Sequence, residues 1–393
     1  MSHPPSIAWP DAARGTAFAA WLAAVAPTHR LNPASLRPAS ADASFRRYFR
    51  IDGVAPASGA EVPVSPPGSR IIMDAPPALE RSDAFVQIAG LMAQAGLRVP
   101  AVLEWDAAHG FLLLSDLGAQ TLLDVIQPAD PQANLGLYLQ AIDALVAWQL
   151  ASRPGVLPPY DEALLRRELQ LFPDWYLGRH RGVVLDERQQ ATLSQAFDAI
   201  VASNLAAPSV YVHRDFMPRN LMAPTPPTAY GSLPPEGAHL ALGRPVGETS
   251  AAHGTASPLG VLDFQDAVYG PITYDIASLM RDAFLSWEED FVLEVTVRYW
   301  QTARKAGLPV DDDFGTFYRS VEYMGLQRHL KVAGIFARLT LRDGKPKYLA
   351  DAPRFIGYIR STASRYRELG PLLQLIDQIE GIDVPTGYAF GRM

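Results

Sequence analysis

Two short apolar segments, SVYVH at 209–213 and LGVLDF at 259–264, stand out in the second half of this 393-residue chain. They have the composition of strands, whereas the sequence from residue 121 onward otherwise shows mostly helical periodicity. Residues 223–258 between them are crowded with Pro, Gly, Ala, Ser and Thr and cannot bury enough apolar surface to order themselves well. We therefore predict a helical body that carries one short hairpin with a mobile insertion.

The first half of the chain predicts a small sheet with a helix against it. Residues 44–51 and 70–74 have strand composition, and VPAVLEWD and GFLLLSDLG further along supply two more apolar, strand-like runs. A helix capped by Ser82 or Asp83 is predicted between these pairs. The sequence thus predicts an α+β protein with a β-rich N-terminal lobe at 1–117 and a large helical C-terminal lobe at 118–393.

Composition excludes several classes of partner and site. The formal net charge of -7 argues against nucleic acid or an anionic membrane as the main partner, and the absence of cysteine removes disulfides and thiolate chemistry. No run approaches the roughly 20 apolar residues of a membrane span. Residues 17–26 could mimic a targeting segment, but their apolar spacing favours an amphipathic helix. We expect a cytoplasmic monomer.

The segment from His213 to Asn220, HRDFMPRN, carries the strongest chemical signal. Phosphoryl transfer needs a carboxylate to orient and deprotonate the attacking hydroxyl, and a second side chain on the same loop can turn back to hold a metal. Asp215 and Asn220 have that spacing, and H-R-D-x-x-x-x-N is the catalytic-loop signature of kinases. Alternatively, this is a polar loop whose Asp and Asn serve as turn and cap residues.

Asp263 strengthens the catalytic interpretation. It follows directly after the apolar run LGVL, where a carboxylate can meet the Mg²⁺ that bridges nucleotide phosphates. The motif HRDFMPRN and the aspartate of LGVLDF, in this order and each preceded by a strand, are hard to obtain together by chance. The sequence therefore predicts Asp215 as the base and Asn220 with Asp263 as magnesium ligands, with ATP as co-substrate.

HRDFMPRN and VLDFQDAVYGPITYDIASL resemble the aminoglycoside phosphotransferase and choline kinase superfamily, which implies a two-lobed kinase-like fold. In that family the Asp of the Y-D-I-A segment, here Asp275, supports the catalytic loop, and His213 is expected to do the same. No A-P-E segment follows Asp263, which speaks against a protein kinase.

Further segments, among them DASFRRYFRI, LPPYDEALLRRELQLFPDWYL and GLQRHLKVAGIFARL, resemble the bacterial anomeric sugar kinases of cell-wall recycling. That resemblance implies ATP-dependent phosphorylation of N-acetylmuramate and N-acetylglucosamine at C1, in peptidoglycan recycling. Two alternatives remain open. One is a phosphotransferase for another hydroxylated substrate, an aminoglycoside or an amino alcohol, and the other is a nucleotide-binding pseudokinase that regulates a partner.

The chain departs from the family at the lysine that normally binds the α- and β-phosphates. Met73 and Asp74 stand where it would fall, and no lysine precedes Lys305. Arg46 and Arg47 in the first hairpin are candidates for phosphate contacts, because guanidinium suits them. Alternatively, one of the two arginines is solvent-exposed and the other packs the aliphatic part of its side chain against the protein.

The remaining candidates concern adenine and sugar. The resemblance places Ser115 and Leu117 at the hinge that offers backbone groups to adenine. Asp266 lines the metal or sugar site or caps a turn, and Arg328 faces a carboxylated sugar or belongs to a solvated or interhelical charged face.

Overall fold

The computed structural model describes residues 7, 9, 11–41, 45–54, 68–224 and 258–382. The chain divides into two compact units, Met1–Val125 with Leu221–Leu262, and Ile126–Asn220 with Asp263–Met393. The predicted lobe boundary after residue 117 stays a prediction, and most of the predicted insertion at 223–258 lies outside the described residues. No helix in the described ranges is long and apolar enough to span a membrane.

The secondary structure follows the predicted division into a strand-rich first part and a helical remainder. The strands are β1 (Leu31–Ala41), β2 (Arg47–Gly53), β3 (Ser69–Asp74), β4 (Val102–Asp106), β5 (Phe111–Ser115), β6 (Ser209–Val212), β7 (Leu221–Met222), β8 (Gly260–Val261) and β9 (Val268–Pro271). The α-helices are α1 (Ala12–Val25), α2 (Ser82–Gln94), α3 (Leu122–Val125), α4 (Leu135–Leu150), α5 (Glu162–Leu169), α6 (Glu187–Ala206), α7 (Thr273–Met280), α8 (Glu289–Lys305), α9 (Phe314–Leu341), α10 (Ala352–Arg365) and α11 (Gly370–Glu380).

The first unit is built on an antiparallel sheet with the strand order β1-β2-β3-β5-β4. Helix α1 covers one face by packing Phe18 and Leu22 into a cluster with strand residues that include Phe49 and Ile72. The predicted amphipathic helix at 17–26 therefore lies within α1. Burial of this apolar surface is the main favourable contribution to the stability of such a two-layer arrangement.

Strand β1 is absent from the sequence-based prediction. Its segment LNPASLRPASA contains Pro33 and Pro38, and a proline cannot donate to a strand ladder. Among the described strands β1 pairs with β2 alone and forms an edge of the sheet, so the missing N–H groups are tolerated there. No strand is therefore predicted from the sequence for these residues.

The second unit combines the antiparallel pair β6–β9 with the long helices. Helix α9 is at its centre and packs against α7, α10 and a π-helix at Phe172–His180. The predicted helix over 161–180 is thus interrupted, with α5 followed by the π-helix. Every residue of α9 from Val321 to Lys331 is buried, so this helix brings charged side chains into the interior.

The contact between α9 and the π-helix depends on Gly334. A Cβ atom at this position would overlap the backbone carbonyl of Leu171. In the same helix, a Cβ at Gly325 would meet only Arg281 Cγ at 3.5 Å, an ordinary contact. The two glycines therefore offer a matched pair of substitutions.

We predict that Gly334→Ala lowers the free energy of unfolding by about 1–3 kcal/mol, because overpacking costs more than the helix propensity of alanine returns. Gly325→Ala should be neutral or stabilising by up to about 1 kcal/mol. Urea denaturation followed by circular dichroism measures both. Equal stabilities of the two variants would contradict the close approach at Gly334.

Candidate active site

The loop after β6 takes its shape from a buried carboxylate in α7. Asp275 is fully buried, and it accepts hydrogen bonds from His213 N at 2.7 Å and Arg214 N at 3.0 Å. Burial raises the pKa of Asp275, while the His213 charge and the two amide bonds favour the ionised form. Arg214 adopts a left-handed backbone with φ of 77°, unusual for a residue other than glycine. Asp275 thus fixes the strained start of this loop.

Asn220 joins the loop to the segment that contains Asp263. Its Nδ2 donates to Asp215 O at 2.9 Å and to Asp263 Oδ2 at 3.4 Å. Asp263 also has a left-handed backbone, with φ of 62°, and its Oδ1 accepts a bond from Gln265 Nε2 at 3.0 Å. The structure therefore brings together the three residues that the sequence predicts as base and metal ligands.

Two features leave this group ready for ligands. Among the described residues no hydrogen bond involves the Asp215 carboxylate, which is half-buried. Asn220 uses its Nδ2 for the two bonds within the loop, so its Oδ1 remains available as an oxygen ligand. The Asp215 carboxylate is therefore available to receive a proton.

The donor set fits magnesium. Within the described ranges no cluster of three or more His, Cys, Asp or Glu side chains could hold a metal ion by itself. Mg²⁺ at phosphotransfer sites typically takes one or two protein oxygens and completes its shell with phosphate and water. The amide oxygen of Asn220 and the carboxylate of Asp263 match that requirement.

A buried ionic cluster around Glu168 lies beside the loop. Glu168 Oε1 contacts Arg214 Nη2 at 2.6 Å and Lys331 Nζ at 2.9 Å, and its Oε2 accepts from Gln327 Nε2 at 3.1 Å and from the Tyr160 hydroxyl. Burial disfavours the ionised form of Glu168, but the charges of Lys331 and Arg214 outweigh it and lower the pKa of Glu168 to about 2. This cluster holds the Arg214 side chain in place.

Sequence reasoning missed Glu168. A glutamate within a charged helical segment such as EALLRREL is predicted to be solvent-exposed. No local sequence pattern indicates that two cations from other segments converge on it. The only available signal was the burial of the helix bearing Lys331, because a buried cation requires a partner.

Arg328 and Asp266, the residues predicted to contact substrate, occupy different environments. Arg328 is buried, its Nη1 donates to Arg214 O at 2.7 Å, and its guanidinium lies 4.8 Å from the centre of the Tyr274 ring. These contacts match the alternative in which Arg328 belongs to an interhelical charged face. Asp266 is exposed at a turn closed by a bond from Ala267 N to Phe264 O at 3.0 Å. Their roles in substrate binding stay predictions.

In the first unit, Arg47 has structural partners. Its Nε donates to Asp74 Oδ2 at 2.9 Å, and Arg14 Nε donates to Asp74 Oδ1 at 2.8 Å. The Arg47 guanidinium also lies 4.3 Å from the centre of the Trp9 ring. The fully buried Asp74, which follows the position expected for the family lysine, is therefore neutralised by two arginines.

Arg46 and the hinge residues also belong to the first unit. Arg46 Nε lies 3.6 Å from Glu80 Oε2, a looser ion pair than that of Arg47. Ser115 pairs with Ala101 through both its backbone N–H and its hydroxyl group, and Leu117 O accepts a bond from Arg98 Nη2 at 2.9 Å. The nucleotide contacts assigned to Arg46, Arg47, Ser115 and Leu117 stay predictions.

Comparisons with known proteins agree with this arrangement. The model of the phosphotransferase enzyme family matches residues 35–228 and 253–310. The N-acetylmuramate/N-acetylglucosamine kinase of Pseudomonas aeruginosa is 47% identical over 346 residues, which cover 88% of each chain. The protein of the same name from Neisseria meningitidis is 43% identical and covers 94% of this chain and 97% of its own.

A solved structure supports the fold independently. A choline/ethanolamine kinase family protein from Mesorhizobium loti superposes with a TM-score of 0.54 at 14% identity, covering 93% of this chain and 99% of its own. At that identity the likeness concerns the fold alone. The predicted kinase-like α+β fold and the predicted superfamily resemblance are both confirmed.

We predict that Glu168→Gln lowers the free energy of unfolding by about 3 kcal/mol near neutral pH, because it leaves Arg214 and Lys331 without their buried counter-charge. Glu162→Gln is the matched control, since Glu162 lies in the same helix and forms only an exposed pair with Arg166. That control should cost less than about 1 kcal/mol.

The effect of Glu168→Gln should depend on pH. The pKa of Glu168 is about 2 in the folded protein against an ordinary 4.5, so its contribution is complete above pH 4.5 and is lost as the pH falls toward 2. The stability difference between parent and variant should therefore shrink by about 1 kcal/mol between pH 6 and pH 4. Urea titrations at both pH values test this, and a constant difference would contradict the low pKa.

Proposed function

This chain belongs to the phosphotransferase enzyme family, and from that premise we propose that it transfers the γ-phosphoryl group of ATP to the anomeric C1 hydroxyl of N-acetylmuramate and N-acetylglucosamine. Relatives named for kinase activity on these two sugars share 43–47% of their residues with it over most of the chain. Such an activity returns cell-wall sugars to metabolism as sugar phosphates, in keeping with a role in peptidoglycan recycling.

One observation carries the phosphotransfer chemistry. The Asn220 amide bonds both to Asp215 O and to the Asp263 carboxylate, so residues 43 positions apart in sequence meet at one point. A pseudokinase that had lost catalysis would be under no need to keep all three side chains in this arrangement. The intact group therefore favours an active enzyme over a regulatory nucleotide-binding protein.

Asp215 acts as the base in this proposal. The C1 hydroxyl oxygen attacks the γ-phosphorus and forms the new P–O bond, while the bond from γ-phosphorus to the β–γ bridging oxygen breaks and ADP leaves. The proton of the hydroxyl passes to the Asp215 carboxylate. An anomeric hydroxyl is the most acidic hydroxyl of a sugar, which favours transfer of its proton to a carboxylate.

Asn220 Oδ1 and the Asp263 carboxylate would hold Mg²⁺. When bound, the ion neutralises charge on the phosphates of the nucleotide. The left-handed backbone at Asp263 directs its carboxylate toward Asn220, and the bond from Gln265 Nε2 restrains the carboxylate there. Asp266, three residues after Asp263, is proposed to line the sugar site.

The nucleotide is proposed to contact the first unit through Ser115 and Leu117 at the hinge and through the arginines of the first hairpin. These arginines are Arg46 and Arg47, of which Arg47 also binds the buried Asp74. No lysine precedes Lys305, so an arginine must supply any phosphate-binding cation from this part of the chain.

The proposal predicts ATP-dependent phosphorylation of both amino sugars at C1, measured by ADP release and by phosphorus NMR of the product. Asp215→Asn should reduce kcat by roughly 10²–10⁴-fold while ATP binding, followed by calorimetry, persists. A panel with choline, ethanolamine and an aminoglycoside is the comparison. Turnover of one of those in preference to the sugars would replace the proposed substrate, and normal turnover by Asp215→Asn would remove Asp215 from the mechanism.

The metal ligands have their own test. We expect Asn220→Ala and Asp263→Ala to weaken magnesium-dependent ATP binding, because each removes an oxygen ligand. Calorimetric titration of ATP with and without Mg²⁺ measures the difference. Asp266→Ala is the comparison variant, since its exposed carboxylate is proposed to face sugar rather than metal. If both ligand variants bind magnesium-ATP as tightly as the parent, the metal assignment is wrong.

A further inference from the structure

The loop from His213 to Asn220 contains two arginines, Arg214 and Arg219, whose environments are unlike. Arg214 is bound to Glu168 at 2.6 Å. Arg219 is exposed, and within the described part of the chain its guanidinium has no hydrogen bond or ion pair. It is therefore a cation at the active-site loop whose N–H donors remain available.

Arg219 is nevertheless held in position. Its backbone lies in the 3₁₀ turn Pro218–Asn220, and Asn220 N donates to Met217 O at 2.8 Å. Its guanidinium lies over the Phe284 ring, 4.6 Å from the ring centre. A guanidinium in contact with an aromatic ring through one face keeps its N–H groups directed outward in its own plane. This arrangement reduces the conformational entropy lost when the side chain binds an anion.

The backbone of Phe284 is held by Asp282. Phe284 N donates to Asp282 Oδ1 at 3.0 Å, and Asp282 is almost fully buried. Burial raises the pKa of Asp282 to about 6, while the bond from Phe284 N and the charges of Arg328 and Arg219 act in the opposite direction. The segment after α7 thus supplies a braced aromatic surface beneath Arg219.

The other cations near this loop are already engaged. Arg328 donates to Arg214 O at 2.7 Å, Lys331 contacts Glu168 at 2.9 Å and Tyr274 Oη at 3.1 Å, and both side chains are buried. An additional anion at Lys331 would compete with Glu168, and the Arg328 Nε, which has no hydrogen-bond partner among the described residues, is buried. Arg219 is the cation of this group that can bind an anion without breaking a contact within the described residues.

The two proposed substrates differ by one charged group. N-acetylmuramate carries a lactyl ether on the C3 oxygen, ending in a carboxylate, whereas N-acetylglucosamine has a neutral hydroxyl there. A planar guanidinium can bind a carboxylate through two parallel hydrogen bonds. Resting on the function proposed above, we infer that Arg219 binds the lactyl carboxylate of N-acetylmuramate and so determines the preference of the enzyme for the acidic sugar.

Arg219→Gln tests this inference, with kcat/KM measured for both sugars. Loss of a charge-assisted bidentate contact should lower the kcat/KM ratio of N-acetylmuramate to N-acetylglucosamine by about tenfold to a hundredfold, mainly through KM. Arg219→Lys should restore part of the ratio, because the charge remains and the paired donors are lost. Phe284→Leu should shift the ratio in the same direction by less than Arg219→Gln.

Arg188→Gln is the matched control, since it removes one exposed arginine from the first turn of α6 and leaves the loop intact. The control should keep the parental ratio, and thermal unfolding of each variant verifies folding. Equal losses for the two sugars would assign Arg219 to the transferred phosphoryl group and overturn the inference, as would an unchanged ratio. A parent inactive on both sugars would instead refute the proposed function, and this inference with it.

Discussion

The left-handed backbone at Arg214 is the constraint on which the candidate active site depends, because it lies in the loop directly before Asp215. A non-glycine residue in that region costs of order 1–3 kcal/mol and persists only where its surroundings hold it. Three elements do so. Asp275 of α7 binds two amides, Arg328 of α9 binds the Arg214 carbonyl, and Glu168 of α5 binds its guanidinium.

This dependence explains why charged residues occupy the interior of the second unit. Arg328 and Lys331 enter the core on α9, and a buried cation is tolerated only when a carboxylate or carbonyl oxygen meets it. Glu168 and the Arg214 carbonyl supply those oxygens. The charges therefore tie α5 and α9 to the loop between β6 and β7, and the packing of the helices is coupled to the geometry of the site.

Arginines replace lysine throughout the first half of the chain, and their neighbours decide what they do. Arg14 and Arg47 neutralise the buried Asp74 on β3, which together with Met73 stands where the family lysine is expected. The two arginines of the predicted catalytic loop are divided in the same way. Arg214 is bound internally by Glu168, whereas Arg219 remains exposed over Phe284.

The sequence by itself determined the kinase-like fold and predicted the candidate catalytic group, because strand composition, loop spacing and residue chemistry are local properties. HRDFMPRN and LGVLDF predicted Asp215, Asn220 and Asp263 as site residues, and the structure brings these three residues together. Strand β1 was not predicted, because its prolines are compatible with a strand only at a sheet edge. That edge position becomes known only from the structure. The Glu168 cluster and the contrast between Arg214 and Arg219 were decided by tertiary structure alone. Burial and ion pairing join residues far apart in the chain, and no local sequence pattern shows which cation forms an ion pair.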